Sequence, residues 1–368
     1  MKLIHVSHTD LDGIGAIVLS KYLVAHTGDE LEYYTCGYHS VEDKVASILD
    51  RIDAGEDINL IITDISFREV SGLAERIEKS YGDRVILLDH HATSNYLNAY
   101  SWAKSKEANE NEELTCGTAW YYDYLMSNSE TRDYFKKNQY LTAFVGLVNL
   151  WDTWRWVTDF DEPKQEASVL NMVLNIKGKE WFMGDILEKA FSPMSEYIPF
   201  EFTESDEILI RSKKLEIERQ IDSKEKELVT GRMIFSVDSD KQIQFAQKYL
   251  QDLGDEQFIK YKNILHKGFK CKFNIGVIYL TENISDVGNE LARRHPELDI
   301  IVIISMPNSV SYRTVKDLNV PLGIIANWIG NGKGGGHPKS AGSVLSNRVK
   351  QHISSAILKD VYFDEESN

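Results

Sequence analysis

Over its first ninety residues the chain alternates short apolar runs with amphipathic stretches, and that alternation leaves few folds open to it. Leu3–Ser7, Ile58–Thr63 and Val85–Leu88 are short and apolar, as strands covered on both faces are. Leu31–Cys36 reads as a further strand. Leu11–His26, Val41–Ile52 and Val70–Ser80 read as helices. The expected fold class is α/β, with right-handed crossovers and a mostly parallel sheet carrying helices on both faces. Ligands in such sheets sit at the carboxyl ends of strands.

The texture changes after Asp89. Lys104 to Glu113 is polar and reads as a loop, while Cys116–Met126, Arg132–Leu150, Pro163–Ile176 and Trp181–Phe191 read as helices. Ser205 to Val229 is highly charged with apolar residues at intervals, which predicts one long helix stopped near Gly231. A second α/β pattern comes after it. Its strands are Met233–Val237, Phe273–Leu280, a hairpin of Ile300–Ser305 with Val310–Val315, and one opening at Val344. Its helices are Asp286–Arg294, Pro321–Ile329 and Val349–Val361. The expected domains are residues 1–203, a connecting helix over 204–230, and a smaller α/β domain over 231–368.

Composition narrows the function classes. Of 368 residues, 42% are hydrophobic and 27% charged, values of a folded globular chain. The charge sum is 41 − 57 = −16, which repels polyanions and argues against a long nucleic-acid duplex held on a broad basic face. Cys36, Cys116 and Cys271 lie far apart and make neither a zinc pattern nor a disulfide framework, as expected in a reducing cytoplasm. Met1–Ser7 reads as a buried strand rather than a targeting segment, and no apolar run is long enough to span a membrane.

Four segments carry acids and histidines to the places where this fold binds ligands. They are His8-Thr9-Asp10-Leu11-Asp12-Gly13 after the first strand, Asp64 after Leu60–Thr63, Asp89-His90-His91 after Val85–Leu88, and Asp152 within Leu147–Trp156. Singly, each has a plain structural reading: a helix cap, a surface pair, a hydrogen-bonded acid. Together they do not, because clustered buried carboxylates need cations. Mixed imidazole and carboxylate donors suit Mn²⁺, Fe²⁺, Co²⁺ or Zn²⁺ better than Ca²⁺. The number of donors exceeds one zinc site and fits two metals bridged by a carboxylate, an arrangement that activates water and clamps phosphoryl oxygens.

The order HxDxDG, Asp64, Asp89-His90-His91, Asp152 resembles the DHH phosphoesterase superfamily. The run Gly334-Gly335-Gly336-His337 resembles the substrate-binding motif of its companion C-terminal DHHA1 domain. The layout is similar to the oligoribonuclease (nanoRNase) and phosphoadenosine phosphatase branch. The resemblance implies two divalent ions per chain, manganese foremost. His8, Asp10 and Asp64 would hold one, and Asp12, Asp64, His90 and Asp152 the other, with Asp64 bridging. Asp89 would orient a histidine and His91 would face the phosphate. Asp159 and Asp161 rival Asp152, whose apolar context is the better match to the family's fourth motif. Arg313 resembles the family's phosphate-pairing arginine, with Asn289 a further candidate.

The resemblance therefore implies a metal-dependent phosphoesterase acting in the cytoplasm on short RNA or a mononucleotide bisphosphate such as 3′-phosphoadenosine 5′-phosphate. Cyclic or linear dinucleotides are an alternative substrate class, and a non-catalytic nucleotide sensor is a second alternative. No membrane partner and no long duplex are expected, and the oligomeric state, a homodimer included, is left open. The glycines would admit close approach of a phosphate or base. Trp151, Trp154 and Trp156 are read as packing residues rather than a base-stacking surface, and His5 as a satisfied core residue.

Overall fold

The computed structural model describes residues 2–38, 40–158, 165–195, 202–305 and 309–345. The chain divides into two compact units between Arg211 and Ser212.

In the first unit, β1 (Lys2–Ser7), β2 (Glu30–Thr35), β3 (Ile58–Thr63), β4 (Val85–Asp89) and β5 (Ala103–Ser105) form one sheet in the order β2-β1-β3-β4-β5. Every pairing in it is parallel. Its helices are α1 (Leu11–Thr27), α2 (Val41–Asp53), α3 (Leu73–Ser80), α4 (Gly117–Ser127), α5 (Arg132–Phe135), α6 (Gln139–Asp152), α7 (Arg155–Thr158), α8 (Gln165–Lys177) and α9 (Lys179–Ala190). Alternate strand residues face opposite cores. Leu3, Ile61 and Leu88 pack with residues of α1, α4, α6, α8 and α9, while Ile4, Val6, Leu60, Ile62 and Leu87 pack with those of α2 and α3. The chain reverses its direction of travel across the sheet between β1 and β3. That switch opens a crevice at their carboxyl ends, and His8, Asp10, Asp12 and Asp64 come directly after those two strands.

The charged stretch after residue 202 forms α10 (Glu204–Lys226), and the division between units falls inside it. The second unit holds β6 (Val229–Ser236), α11 (Asp240–Asp252), α12 (Asp255–Tyr261), β7 (Lys270–Tyr279), α13 (Ile284–Arg294), β8 (Ile300–Ser305), β9 (Ser309–Arg313), α14 (Leu322–Ile329), β10 (Gly334–Gly336) and β11 (Ser340–Val344). The sheet order is β10-β11-β9-β8-β7-β6, with β7 and β8 parallel and the other pairs antiparallel. Phe235, Leu250, Tyr312, Ile324 and Ile325 belong to its core. No helix among the described residues is long and apolar enough to cross a membrane.

Three elements differ from their expected form. The helix read over Arg132–Leu150 is two, because Asn138 starts a new one: its Oδ1 accepts from Leu141 N at 3.0 Å and its amide donates to Ala190 O at 2.9 Å. Gly231 does not stop α10, which ends at Lys226; Gly231 pairs with Ile275 inside β6. The last strand does not open at Val344 but closes there, since Ser340–Val344 pairs with β9. The segment 240–252, which the sequence pattern does not assign, is a helix with a capping box between Ser239 and Gln242. Asp159, Asp161 and the helix expected over Val349–Val361 lie outside the described residues.

Candidate metal centre

The carboxyl ends of β1 and β3 are tied together just behind the site. His5 bonds Ser20 Oγ and Thr63 Oγ1, each at 2.8 Å, so it is the satisfied core residue expected of it. Ser7 Oγ donates to Thr63 O at 2.9 Å. Beyond these strands the backbone is tightly constrained. A β-carbon on Gly13 would lie 2.3 Å from the carbonyl oxygen of His8, so the glycine of HxDxDG lets α1 start against its own ligand loop. Asp64 adopts φ +56°, a conformation that carries roughly 1–3 kcal/mol of strain in a non-glycine residue. Gly117 is what Asp64 turns against: a β-carbon there would be 2.8 Å from Asp64 Cβ.

Each acid is held by a definite partner. Asp10 caps α1, its Oδ1 accepting from Gly13 N at 3.2 Å, while Oδ2 lies 2.6 Å from His8 Nδ1. Asp12 is buried at the amino end of α4, where Gly117 N and Thr118 N donate to its two oxygens at 2.7 Å each. Asp89 Oδ1 accepts from His90 N and bonds His91 Nδ1, each at 2.8 Å. His90 Nε2 is the meeting point. It lies 3.3 Å from Asp64 Oδ1, 3.3 Å from Asp152 Oδ2 and 3.8 Å from Asp12 Oδ2. His8 Nδ1 approaches Asp64 from the other side at 3.9 Å. Thus β1, β3, β4 and α6 deliver His8, Asp10, Asp12, Asp64, Asp89, His90, His91 and Asp152 to one place.

The electrostatics of that place call for cations. Asp64 Oδ2 and Asp152 Oδ2 are buried with no hydrogen-bond partner. Burial, then the charges of Asp12, Asp10, Asp152 and Asp89, hold the Asp64 carboxyl well above the usual carboxylate range. Burial and the charges of Asp12 and Asp10 do the same to Asp152. Two acids whose ionisation is disfavoured, each with a buried oxygen lacking a hydrogen-bond partner, are donors that a divalent ion would satisfy. The donors fall into overlapping groups, one of them Asp64 with Asp89, His90 and His91. His8, Asp10 and Asp64 converge in one group and Asp12, His90 and Asp152 in another, with His90 joining the second group to Asp64.

The two neighbouring histidines are driven apart. Burial and the positive charge of His91 push His90 down to about 4, so its nitrogen keeps a lone pair at neutral pH. Burial opposes protonation of His91 too, but the charge and hydrogen bond of Asp89 outweigh it and raise His91 to about 9. Asp89 itself stays below the carboxylate range, since the His91 charge overcomes its burial. One histidine is suited to ligate and the other to carry a proton.

Sequence reasoning missed the supports on α4 and α6. Gly117 and Thr118 hold Asp12, and Asn149 Oδ1 accepts from Cys116 N at 2.8 Å to fix the start of α4. The one available signal was a glycine at the start of an otherwise apolar helix. Tyr38 was also missed; its ring centroid lies 5.6 Å from that of His8 and 6.0 Å from that of His91.

In the second unit, adjacent strands collect the other candidates. Arg313 pairs in register with Ser340, and His337 N donates to Ser340 O at 2.8 Å, so both flank one strand end. Arg313 is buried with neutral partners, donating to Tyr312 O at 2.9 Å and Ser285 Oγ at 3.0 Å, and burial lowers it to about 10. Gly288 makes room for it: a β-carbon there would be 3.0 Å from Arg313 Cγ. Asn289 comes next on α13, half-buried. The glycines have packing reasons as well. A β-carbon on Gly334 would meet Ala326 O at 2.4 Å, and one on Gly336 would meet Ala341 Cα at 2.7 Å, whereas Gly335 faces open space.

The motif order and the parallel sheet that gathers it agree with the chain's resemblance to the DHH superfamily. Among its relatives is Oligoribonuclease NrnB of Bacillus subtilis strain 168, 27% identical over 350 residues that cover 93% of this chain and 73% of the relative. Solved structures similar to it include RecJ of Thermus thermophilus in complex with Mn²⁺, at 12% identity, 96% of this chain, 51% of that one and a TM-score of 0.48. Another is PggH, a pGpG-specific phosphodiesterase of Vibrio cholerae, at 14% identity, 98% and 99% coverage and a TM-score of 0.40. No known family profile matches the chain.

Proposed function

We propose that this protein hydrolyses phosphodiester bonds of short oligoribonucleotides, releasing mononucleotides, with two divalent metal ions, manganese foremost. The observation that carries the reading is His90 Nε2 within 3.8 Å of carboxylates from three separate segments, two of them bearing buried oxygens without partners. The kinship with an oligoribonuclease supports the substrate class.

In this reading His8, Asp10 and Asp64 hold one ion, and Asp12, Asp64, His90 and Asp152 the other. When bound, the ions supply activation of water and neutralisation of phosphoryl charge. The chain's own groups do the rest. The amino end of α4 aims Asp12 through two backbone donors. Asp89 fixes the ring of His91 and keeps it protonated, so His91 can stabilise the phosphate or give its proton to the leaving oxygen. In the second unit, Arg313, His337 and the glycines Gly334, Gly335 and Gly336 bind substrate, a DHHA1-like role.

The surface charge sets a length limit. Two divalent ions change −16 to −12, which still repels a long polyanion. The test is purified protein with Mn²⁺ offered labelled RNA from two to about 25 nucleotides, phosphoadenosine phosphate and cyclic dinucleotides side by side, where fast release of mononucleotides from the shortest RNA is expected. Turnover confined to cyclic dinucleotides would move the substrate class, and equal turnover of all RNA lengths would remove the length limit.

A further inference from the structure

The three tryptophans at and beyond the end of α6 form one cluster of indoles. Trp151 and Trp156 stack with centroids 5.6 Å apart and planes at 27°, and Trp154 closes on them at 6.1 Å and 5.6 Å. Trp151 is rooted in the core of the first unit. That much is the packing role expected from sequence, but Trp154 departs from it.

Trp154 is 43% exposed, so folding gains less from this indole than from a buried one. Its backbone is left-handed, φ +64°, which a bulky side chain adopts only as an outlier. Trp156 Nε1 is buried without a hydrogen-bond partner among the described residues, although indole donors normally find one. The left-handed residue follows Thr153, the C-cap that ends α6, and it leaves the exposed indole of Trp154 close in sequence to the metal centre. Asp152, whose Oδ2 lies 3.3 Å from His90 Nε2, is two residues before Trp154, so the two Cα atoms are no more than about 7.6 Å apart. Strained conformations of this kind persist where a site needs a side chain held in place.

We propose that Trp154 is a nucleobase-stacking residue, receiving the base of a nucleotide whose phosphate lies at the cluster of His8, Asp10, Asp12, Asp64, His90 and Asp152. The inference rests on the hydrolase reading above. A base offers a flat π-face, and stacking on an indole grips it without charge, whatever the base. A chain of net charge −16 cannot rely on a broad basic groove for that grip.

The test is equilibrium binding of adenosine 5′-monophosphate and of ribose 5-phosphate to the full chain with Mn²⁺ present, read by calorimetry. Glycine accepts φ +64° freely, so Trp154→Gly removes the ring without adding backbone strain. It should weaken the mononucleotide about 5- to 150-fold, the size of one base–aromatic stack, and leave ribose 5-phosphate unchanged. Trp154→Tyr keeps a π-face and should bind nearly as the parent does. Trp154→Leu is apolar but has none, and should behave like the glycine variant. Parent-like binding by Trp154→Gly, equal behaviour of the Tyr and Leu variants, or equal loss of both ligands would overturn the subsite. The two readings fail separately. Trp154-dependent mononucleotide binding in a protein that cleaves no dinucleotide would sink the hydrolase and leave the subsite. Dinucleotide cleavage with binding indifferent to Trp154 would do the reverse.

Discussion

Gly117 and Asp64 are in such close contact that a side chain at 117 would displace Asp64: a β-carbon on Gly117 would sit 2.8 Å from both the Cβ and the backbone nitrogen of Asp64. The same glycine's N–H holds Asp12 at 2.7 Å. One small residue at the start of α4 therefore sets the position of two acids from two different strand ends.

Gly117→Ala should accordingly damage both stability and metal uptake. Overpacking of this kind costs about 1–3 kcal/mol, and Asp64 and the α4 backbone must shift to relieve it. Urea unfolding and elemental analysis of the manganese-loaded variant read the two effects. A variant with the parent's unfolding midpoint and metal content would show that the contact is not constraining.

Asp64 groups with His8 and Asp10 and lies 3.3 Å from His90 of the second group, so in the proposed arrangement it bridges the two ions. Asp64→Asn should therefore lower metal content at both positions, whereas His8→Ala should lower it at one. Metal binding to the folded chain also stabilises it by mass action, by about 2.7 kcal/mol when the free ion is a hundredfold above its dissociation constant. Thermal unfolding with and without Mn²⁺ should show that gain in the parent and lose it in Asp64→Asn. The same gain in both proteins would place the ion elsewhere.

The metal-free protein should lose stability as the solution becomes alkaline. His91 is raised from 6.5 to about 9 on folding, so its contribution is fully present below about 6.5 and is lost as pH rises through about 9. Asp64 and Asp152 act in the same direction: their folded carboxyls bind protons more tightly than unfolded ones, so stability falls as pH rises above the usual carboxylate range. His91→Gln should flatten the slope between about pH 6.5 and 9 in urea titrations of chelated protein. An unchanged slope in that variant would assign the dependence to other groups.

The fold of the first unit was legible because three buried strands repeat one pattern, and because each ends in a residue that a parallel sheet sends to the same edge. His8, Asp10, Asp12, Asp64 and the Asp89-His90-His91 run stood out for that reason. Other features depend on tertiary contacts that no local pattern records. The break at Asn138 comes from an amide that caps one helix while bonding Tyr22 and Ala190 from two others. The hold of Gly117 and Thr118 on Asp12 spans more than a hundred residues of sequence. Gly334 and Gly336 looked like a ligand loop, and their neighbours Ala326 and Ala341 supply a packing reason that only the folded sheet reveals.

Arg313 and His337 should govern substrate grip rather than the chemical step. His337 is exposed and its backbone bonds Ser340 within the second unit, so His337→Ala should leave metal content intact. A charge-assisted bond to phosphate is worth about 1.5–3 kcal/mol, so kcat/KM on a dinucleotide should fall about 10- to 150-fold. Bis-p-nitrophenyl phosphate, too short to need that grip, should be cleaved at close to the parent rate. Equal losses on both substrates would put the second unit in the catalytic centre itself.

The proposed two-metal centre is tested most directly by one comparison: cleavage of a labelled two-nucleotide RNA by the parent and by Asp64→Asn, each with saturating Mn²⁺. Removing the carboxylate that would bridge the two ions should abolish turnover, while the parent should convert the dinucleotide to mononucleotides. A parent protein that leaves the dinucleotide intact, or an Asp64→Asn variant that cleaves it as fast, would contradict the claim that this cluster is a two-metal phosphodiesterase centre.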